Sequence, residues 1–255
     1  TSSTAFTGQW KTCYTFYTSA GADVFFDEFE RRMDALLHPD YTDEEIRREV
    51  RNFAVSENPS DRSLRLEEKG TVYNEMVTSM DQPVRRLYYE SMHMVYGTEH
   101  PLSYVSGGTP EAIRLLQPPD IRKFHAEHYH LANMGAIVAV PKEISLASAL
   151  ASLDAALNHV QPQRPNQPIL TEKNLPAPKP APRGAIRYVE YPNRNDQQPG
   201  QVRIVWPADR HFDVRERSLF ELFLDNFAGD PTTNLYKRLI DSRTREIDFG
   251  AQSVG

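Results

Sequence analysis

Apolar and polar positions along the chain change period several times, and each change marks an expected element. Residues 4–17 are rich in β-branched and aromatic side chains and are interrupted at Gly8, which predicts a hairpin because such side chains suit a pleated surface. Over residues 23–37 the period lengthens. Phe25, Phe26, Phe29, Met33, Leu36 and Leu37 recur at helical spacing, with Pro39 just beyond. Thr42 and Glu45 form a T-x-x-E capping box, which predicts a second helix running to about Val55. Further helices are expected over residues 64–80, 84–96, 118–129 and 144–157, with a buried strand at 134–140.

The pattern breaks at residues 161–184, which hold Pro162, Pro165, Pro168, Pro176, Pro178, Pro180 and Pro182. Repeated proline fixes φ and removes N–H donors, so this stretch reads as a stiff linker that crosses the surface. Beyond it the periodicity predicts strands at 186–191 and 202–206, helices at 214–227 and 233–241, and the start of a strand at 249–254. The chain then divides into residues 1–160, the linker 161–184, and a shorter unit 185–255. The last unit is small for an independent core.

Composition narrows the functional classes. The chain has 255 residues and a formal net charge of -6, so it carries no general attraction for phosphate and nucleic acid is not an expected partner. A single cysteine, Cys13, rules out an internal disulfide and a cysteine-rich zinc module. No apolar run approaches the ~20 residues that span a bilayer, so no membrane association is expected either.

On a helical wheel for residues 66–80, Tyr73, Met76, Val77 and Met80 form one apolar stripe. Glu68 and Glu75, seven apart, then share the opposite face. Spacing alone makes this a solvated surface in most proteins. A catalytic zinc needs three protein ligands and an open position, and one helical glutamate supplies a single ligand.

Five segments carry more information together than apart. Lys69-Gly70-Thr71-Val72-Tyr73-Asn74-Glu75-Met76 is similar to the K-G-x-V-x-N-E-M signature of the presequence-protease branch of the pitrilysin/insulinase family. Ser106-Gly107-Gly108-Thr109-Pro110 with Ile113, and Phe124-His125 through Tyr129-His130 with Asn133, resemble two further segments of that branch. Ser3-Thr4-Ala5-Phe6-Thr7 resembles the family's S-N-A-F-T strand, and Leu235-Tyr236-Lys237-Arg238-Leu239-Ile240 a stretch of its second homologous domain. They occur in the family's order along nearly the whole chain.

The resemblance implies an α+β fold: a two-layer sandwich with helices on a mainly antiparallel sheet, followed by the start of a second homologous domain. It implies a zinc-dependent endopeptidase acting on short unstructured peptides, an inverzincin in which an H-x-x-E-H helix gives two histidine ligands and the general base. Glu75 stands at the third ligand. Glu68 stands at an upstream acidic position that would support the metal site without touching the ion. Thr4, Ala5 and Phe6 lie on the strand that receives substrate as an added strand, with Thr4 where family members usually carry Asn.

No H-x-x-E-H occurs in these residues. The resemblance places that helix before Thr1, in the remaining parts of the same peptidase or a homologous chain, so Zn2+ binding would depend on it and the chain alone would be inactive. His125-Ala126-Glu127-His128 is one residue too short to share a face at i, i+4. The rival to an enzyme is a catalytically inactive homologue serving as a structural or peptide-binding subunit, and a third reading is a split peptidase with its zinc helix on another chain. The compartment implied is bacterial cytoplasm or an organelle matrix.

Overall fold

The computed structural model describes residues 2–161, 174–192, 200–207, 212–228, 231–239, 241 and 243–244. The chain is α+β, as the resemblance implied, with helices alongside antiparallel hairpins. The first hairpin pairs β1 (Ser2–Thr7) with β2 (Thr12–Tyr17) in the register Ala5↔Tyr14. Its turn closes with Gly8 N–H on the Lys11 carbonyl at 2.8 Å.

Helix α1 (Ala22–Leu37) follows and buries Phe29 and Leu37. It packs against α7 (Leu146–Val160), which buries Ala149, Ala156 and Val160, and His159 on α7 reaches Glu30 on α1 at 2.7 Å. Phe16 of β2 stacks on Phe25 of α1 with ring centroids 5.2 Å apart, so β2 is the hairpin strand tied to the helices.

Two expectations fail between residues 42 and 80. Helix α2 (Asp43–Val50) has its full capping box, with Thr42 Oγ1 accepting from Glu45 N–H, but it stops at Val50 rather than Val55. Residues Asn52–Glu57 form β3 instead, paired with β4 (Leu64–Lys69) in the register Val55↔Leu66. The expected helix over 64–80 is therefore a strand, a glycine and a helix, α3 (Thr71–Met80).

Gly70 is the reason. Its φ is +137°, and a Cβ there would lie 2.6 Å from the Val50 carbonyl oxygen. Only glycine turns the chain this sharply this close to another backbone. Glu68 consequently lies on β4 and does not share a helix face with Glu75.

Helix α4 (Pro83–Tyr96) has proline in its first turn, where the missing N–H costs nothing, and ends at Gly97. A 3-10 turn (Pro101–Ser103) leads to the short helix α5 (Pro110–Ile113), then α6 (Pro118–His128). Residues 134–140 are not a strand: they have no regular structure and Ile137 is 105% exposed. Residues 186–191 and 202–206 are likewise not strands, and Ile186, Tyr188, Val202 and Trp206 are exposed. An alternating apolar pattern specifies readiness to pair, but a strand needs a neighbour to complete its ladder. The two hairpins form separate sheets, so among the described residues no single sheet underlies the helices.

In the linker, Lys179 N–H donates to the Tyr96 carbonyl and Ala181 N–H to that of Met94, so its later part lies along the end of α4. Residues 162–173 of the linker and the expected strand at 249–254 lie outside the described residues. Helices α8 (Val214–Ala228) and α9 (Asn234–Leu239) form close to where periodicity places them.

Candidate functional site

Helix α3 is held along one side and open along the other. Tyr73 is 6% exposed, Met76, Val77 and Met80 are half-buried, and Thr71, Asn74, Glu75 and Thr78 are exposed. That is the division the helical wheel predicts for residues after Gly70. Gly107 lets Met76 seat, because a Cβ at that glycine would fall 2.3 Å from the Met76 sulfur. Glu75 projects from the open side, and its carboxylate has no hydrogen-bond or ion-pair partner among the described residues.

Glu68 has the opposite surroundings. Arg51, the residue between α2 and β3, donates to Glu68 Oε1 from Nε at 2.8 Å and from Nη2 at 2.7 Å. Arg114, directly after α5, donates Nε to Oε1 at 3.0 Å and Nη2 to Oε2 at 2.7 Å. The Tyr73 hydroxyl donates to Oε2 at 2.6 Å and accepts from Arg114 Nη2 at 2.5 Å.

Hydrogen bonds from Arg114, then from Tyr73 and Arg51, hold the Glu68 carboxyl at about 2, against an ordinary 4.5. The same contacts raise the Tyr73 phenol and the Arg114 guanidinium above their ordinary values, with Glu68 the main cause of each. Glu68 therefore stays ionised at neutral pH and its lone pairs are occupied. It is a brace, not a proton carrier. Sequence spacing carries no sign that Arg51, Tyr73 or Arg114 would meet Glu68. The nearest signal is that Arg114 directly follows the S-G-G-T-P-x-x-I segment.

Thr4, Ala5 and Phe6 lie in the middle of β1, all exposed. β1 pairs with β2 alone, so its outer edge is open among the described residues. The hairpin is held from its other side. The Tyr14 and Tyr129 hydroxyls are 2.8 Å apart, Arg32 lies 4.9 Å over the Phe16 ring, and Gln9 donates to the Pro101 carbonyl at 3.0 Å.

Among the described residues no group of three or more His, Cys, Asp or Glu could hold a metal ion. The donor chemistry at Glu75, an unpaired carboxylate on a fixed helix, fits one zinc ligand and not a whole site. His125 is committed elsewhere, with Nε2 2.8 Å from the Leu36 carbonyl and its ring stacked on Tyr129. No helix among the described residues is long and apolar enough to cross a membrane.

No family model matches the chain. It is 36% identical over 134 residues to the mitochondrial presequence protease of Danio rerio, covering 51% of this chain and 12% of that protein. The mitochondrial presequence protease of Gibberella zeae gives 36% over 139 residues, with 51% and 12% covered. An uncharacterised protein of Saccharomyces cerevisiae is 25% identical over 240 residues, covering 93% of this chain and 22% of its own length. These similarities to presequence proteases support a relationship to the pitrilysin-family peptidases. The chain spans about an eighth of the length of the presequence proteases it matches.

Proposed function

We propose that this chain is part of a zinc-dependent endopeptidase for short unstructured peptides, with Glu75 as the metal's carboxylate ligand and the two histidine ligands on a helix outside these residues. The observation that carries the reading is the state of Glu75. It is the exposed, unpartnered carboxylate of a helix whose other side is packed, within a segment similar to the family's ligand motif. A bound zinc would supply an activated water at near-neutral pH. The chain's own residues provide the rest. Glu75 brings a negative charge to offset the ion's, and α3, held by Gly70, Tyr73 and Met76, fixes where that charge stands.

The open edge of β1 supports a substrate role for Thr4, Ala5 and Phe6. An extended peptide that adds there is bound through main-chain hydrogen bonds without sequence reading. Such a site suits unstructured peptides, because a folded chain has its backbone groups already paired. The mitochondrial names of the relatives favour an organelle matrix over a bacterial cytoplasm.

Glu75→Gln in the parent protein tests the reading. Loss of a metal's outer supporting partner costs ~10–100-fold in affinity or activity, and loss of a ligand should cost more. Metal content should fall with peptide cleavage, while the thermal midpoint of the metal-free form stays unchanged because Glu75 is off the packed stripe. Full zinc content with full turnover would overturn the assignment. Full turnover that persists in a metal-free protein would overturn the zinc mechanism.

A further inference from the structure

We propose that Arg114 is a positioning residue for Glu75, acting through Glu68 and Tyr73 to fix the first turn of α3. The inference rests on Glu75 being the metal ligand. Four separate segments meet at the Glu68 carboxylate: Arg51 from the end of α2, Glu68 from β4, Tyr73 from the first turn of α3, and Arg114 from the end of α5. Of the two arginines at this carboxylate, Arg114 also bonds the Tyr73 hydroxyl, with Nη2 at 2.7 Å from Glu68 Oε2 and 2.5 Å from that hydroxyl.

A planar guanidinium holding two oxygens on different segments fixes direction as well as distance. Its Cζ also lies over the Tyr73 ring, 5.3 Å from the ring centroid. Tyr73 is two residues before Glu75 and on the opposite side of the helix. Any rotation of α3 about its axis that moves the Tyr73 hydroxyl turns Glu75 through the same angle and, from the far side of the axis, displaces it in the opposite direction. Gly70 and Met76 seat the helix by packing, and packing tolerates small rotations. The hydrogen-bonded fork does not. A catalytic carboxylate must be held to within a fraction of an ångström, which supporting residues accomplish.

The experiment uses the parent protein with cobalt(II) in place of zinc. It reads the visible absorption spectrum, the rate of metal release to a chelator, and the thermal midpoint of the metal-free form. Arg114→Met and Tyr73→Phe should still take up one metal per chain, but with an altered cobalt spectrum and release roughly 10–100-fold faster. Arg114→Lys keeps the charge without the fork and should lie between these variants and the wild type.

Wild-type spectra and release rates in both Arg114→Met and Tyr73→Phe, with metal lost in Glu75→Gln, would overturn the positioning role and leave the ligand assignment standing. Metal retained in Glu75→Gln would remove the assignment and the proposal with it. If Arg114→Met fails to fold, Tyr73→Phe decides, since it deletes one oxygen from the brace and nothing else.

Discussion

The two hairpins are the same size, six residues to a strand, and are joined to the molecule in opposite ways. The first is fastened along its second strand, by Phe16 on Phe25, Arg32 over Phe16 and Tyr14 to Tyr129, so β1 is left as a free edge. The second is fastened at its base, where Glu68 meets Arg51 and Arg114 and Gly70 presses on Val50, while its tip projects. At that tip Asn58 and Asp61 organise the turn through Ser60 and Ser63. Fastening along one strand yields an edge on which another chain can add. Fastening at the base yields a fixed origin for the helix that follows. Under the proposed function, the first arrangement would hold a peptide and the second would hold a ligand residue.

A glycine in each hairpin region sharpens that difference. Gly70→Ala must place a Cβ against the Val50 backbone at φ +137°, whereas Gly8→Ala places one 3.7 Å from the Lys11 carbonyl oxygen, an ordinary contact. Strain of the first kind costs roughly 1–3 kcal/mol, and the backbone overlap adds to it. Gly70→Ala should therefore lose about 3 kcal/mol or more by denaturant unfolding, and Gly8→Ala about 0.5 kcal/mol or less. Equal losses would mean that α3 is not seated on the end of α2 as described.

Acid separates the two regions next. The Glu68 carboxyl is held at about 2 in the folded chain against an ordinary 4.5. Its contribution is fully present above the ordinary value and is lost as pH falls toward 2. Glu67 is also held at about 2, through Ser56 first and then Lys69. Stability should thus fall as pH drops from about 4.5 to about 2. Glu68→Gln should lower stability at neutral pH and flatten part of that acid decline, leaving the shares that belong to Glu67 and to the other lowered carboxyls, Glu45, Asp61 and Asp241. An unchanged slope in Glu68→Gln would mean that the Arg51–Glu68–Arg114 contacts do not persist in solution. The first hairpin has no paired carboxylate of this kind, so substitutions there should leave the slope alone.

The first hairpin was legible in the sequence and the second was not, for a definable reason. Residues 4–17 carry one signal, and Gly8 sits where a turn is needed. Around β4 the apolar alternation lasts only from Leu64 to Leu66 before three charged residues, and the strong helical stripe that begins at Tyr73 extends backward over it. Gly70, inside the merged segment, was the available breaker. The alternation of Phe53 and Val55 was hidden in the same way behind the capping box at Thr42. The position of Glu75 opposite the apolar stripe is unaffected, because the whole stripe lies after Gly70. The placement of Glu68 did not survive, since its partners come from residues 51 and 114 and no local period contains them. The segments at 134–140, 186–191 and 202–206 show the reverse failure. Their pattern is legible as strand, but pairing is a property of two segments and not of one.

The smallest expected effect lies at the fastening of the first hairpin. The Tyr14 hydroxyl is 2.8 Å from that of Tyr129, and burial together with this hydrogen bond raises the Tyr14 phenol above its ordinary 10.0. Tyr14 is nonetheless 47% exposed, so the bond competes with water. A typical intramolecular hydrogen bond is worth about 0.5–1.5 kcal/mol, and this one belongs at the low end. Tyr14→Phe keeps the ring and removes only the hydroxyl, so the loss at neutral pH should be about 0.5 kcal/mol. A raised phenol contributes stability that is present below the ordinary value and lost as pH rises past it, because the unfolded chain ionises first. The wild type should therefore lose stability above about pH 10 more steeply than Tyr14→Phe. The edge of β1 should stay ordered in both, since Phe16 on Phe25 and Gln9 on Pro101 remain. If Tyr14→Phe instead frees the whole hairpin, seen as rapid amide exchange throughout β1 and β2, the strand is held by this one contact and the edge is not the preformed surface that peptide addition needs.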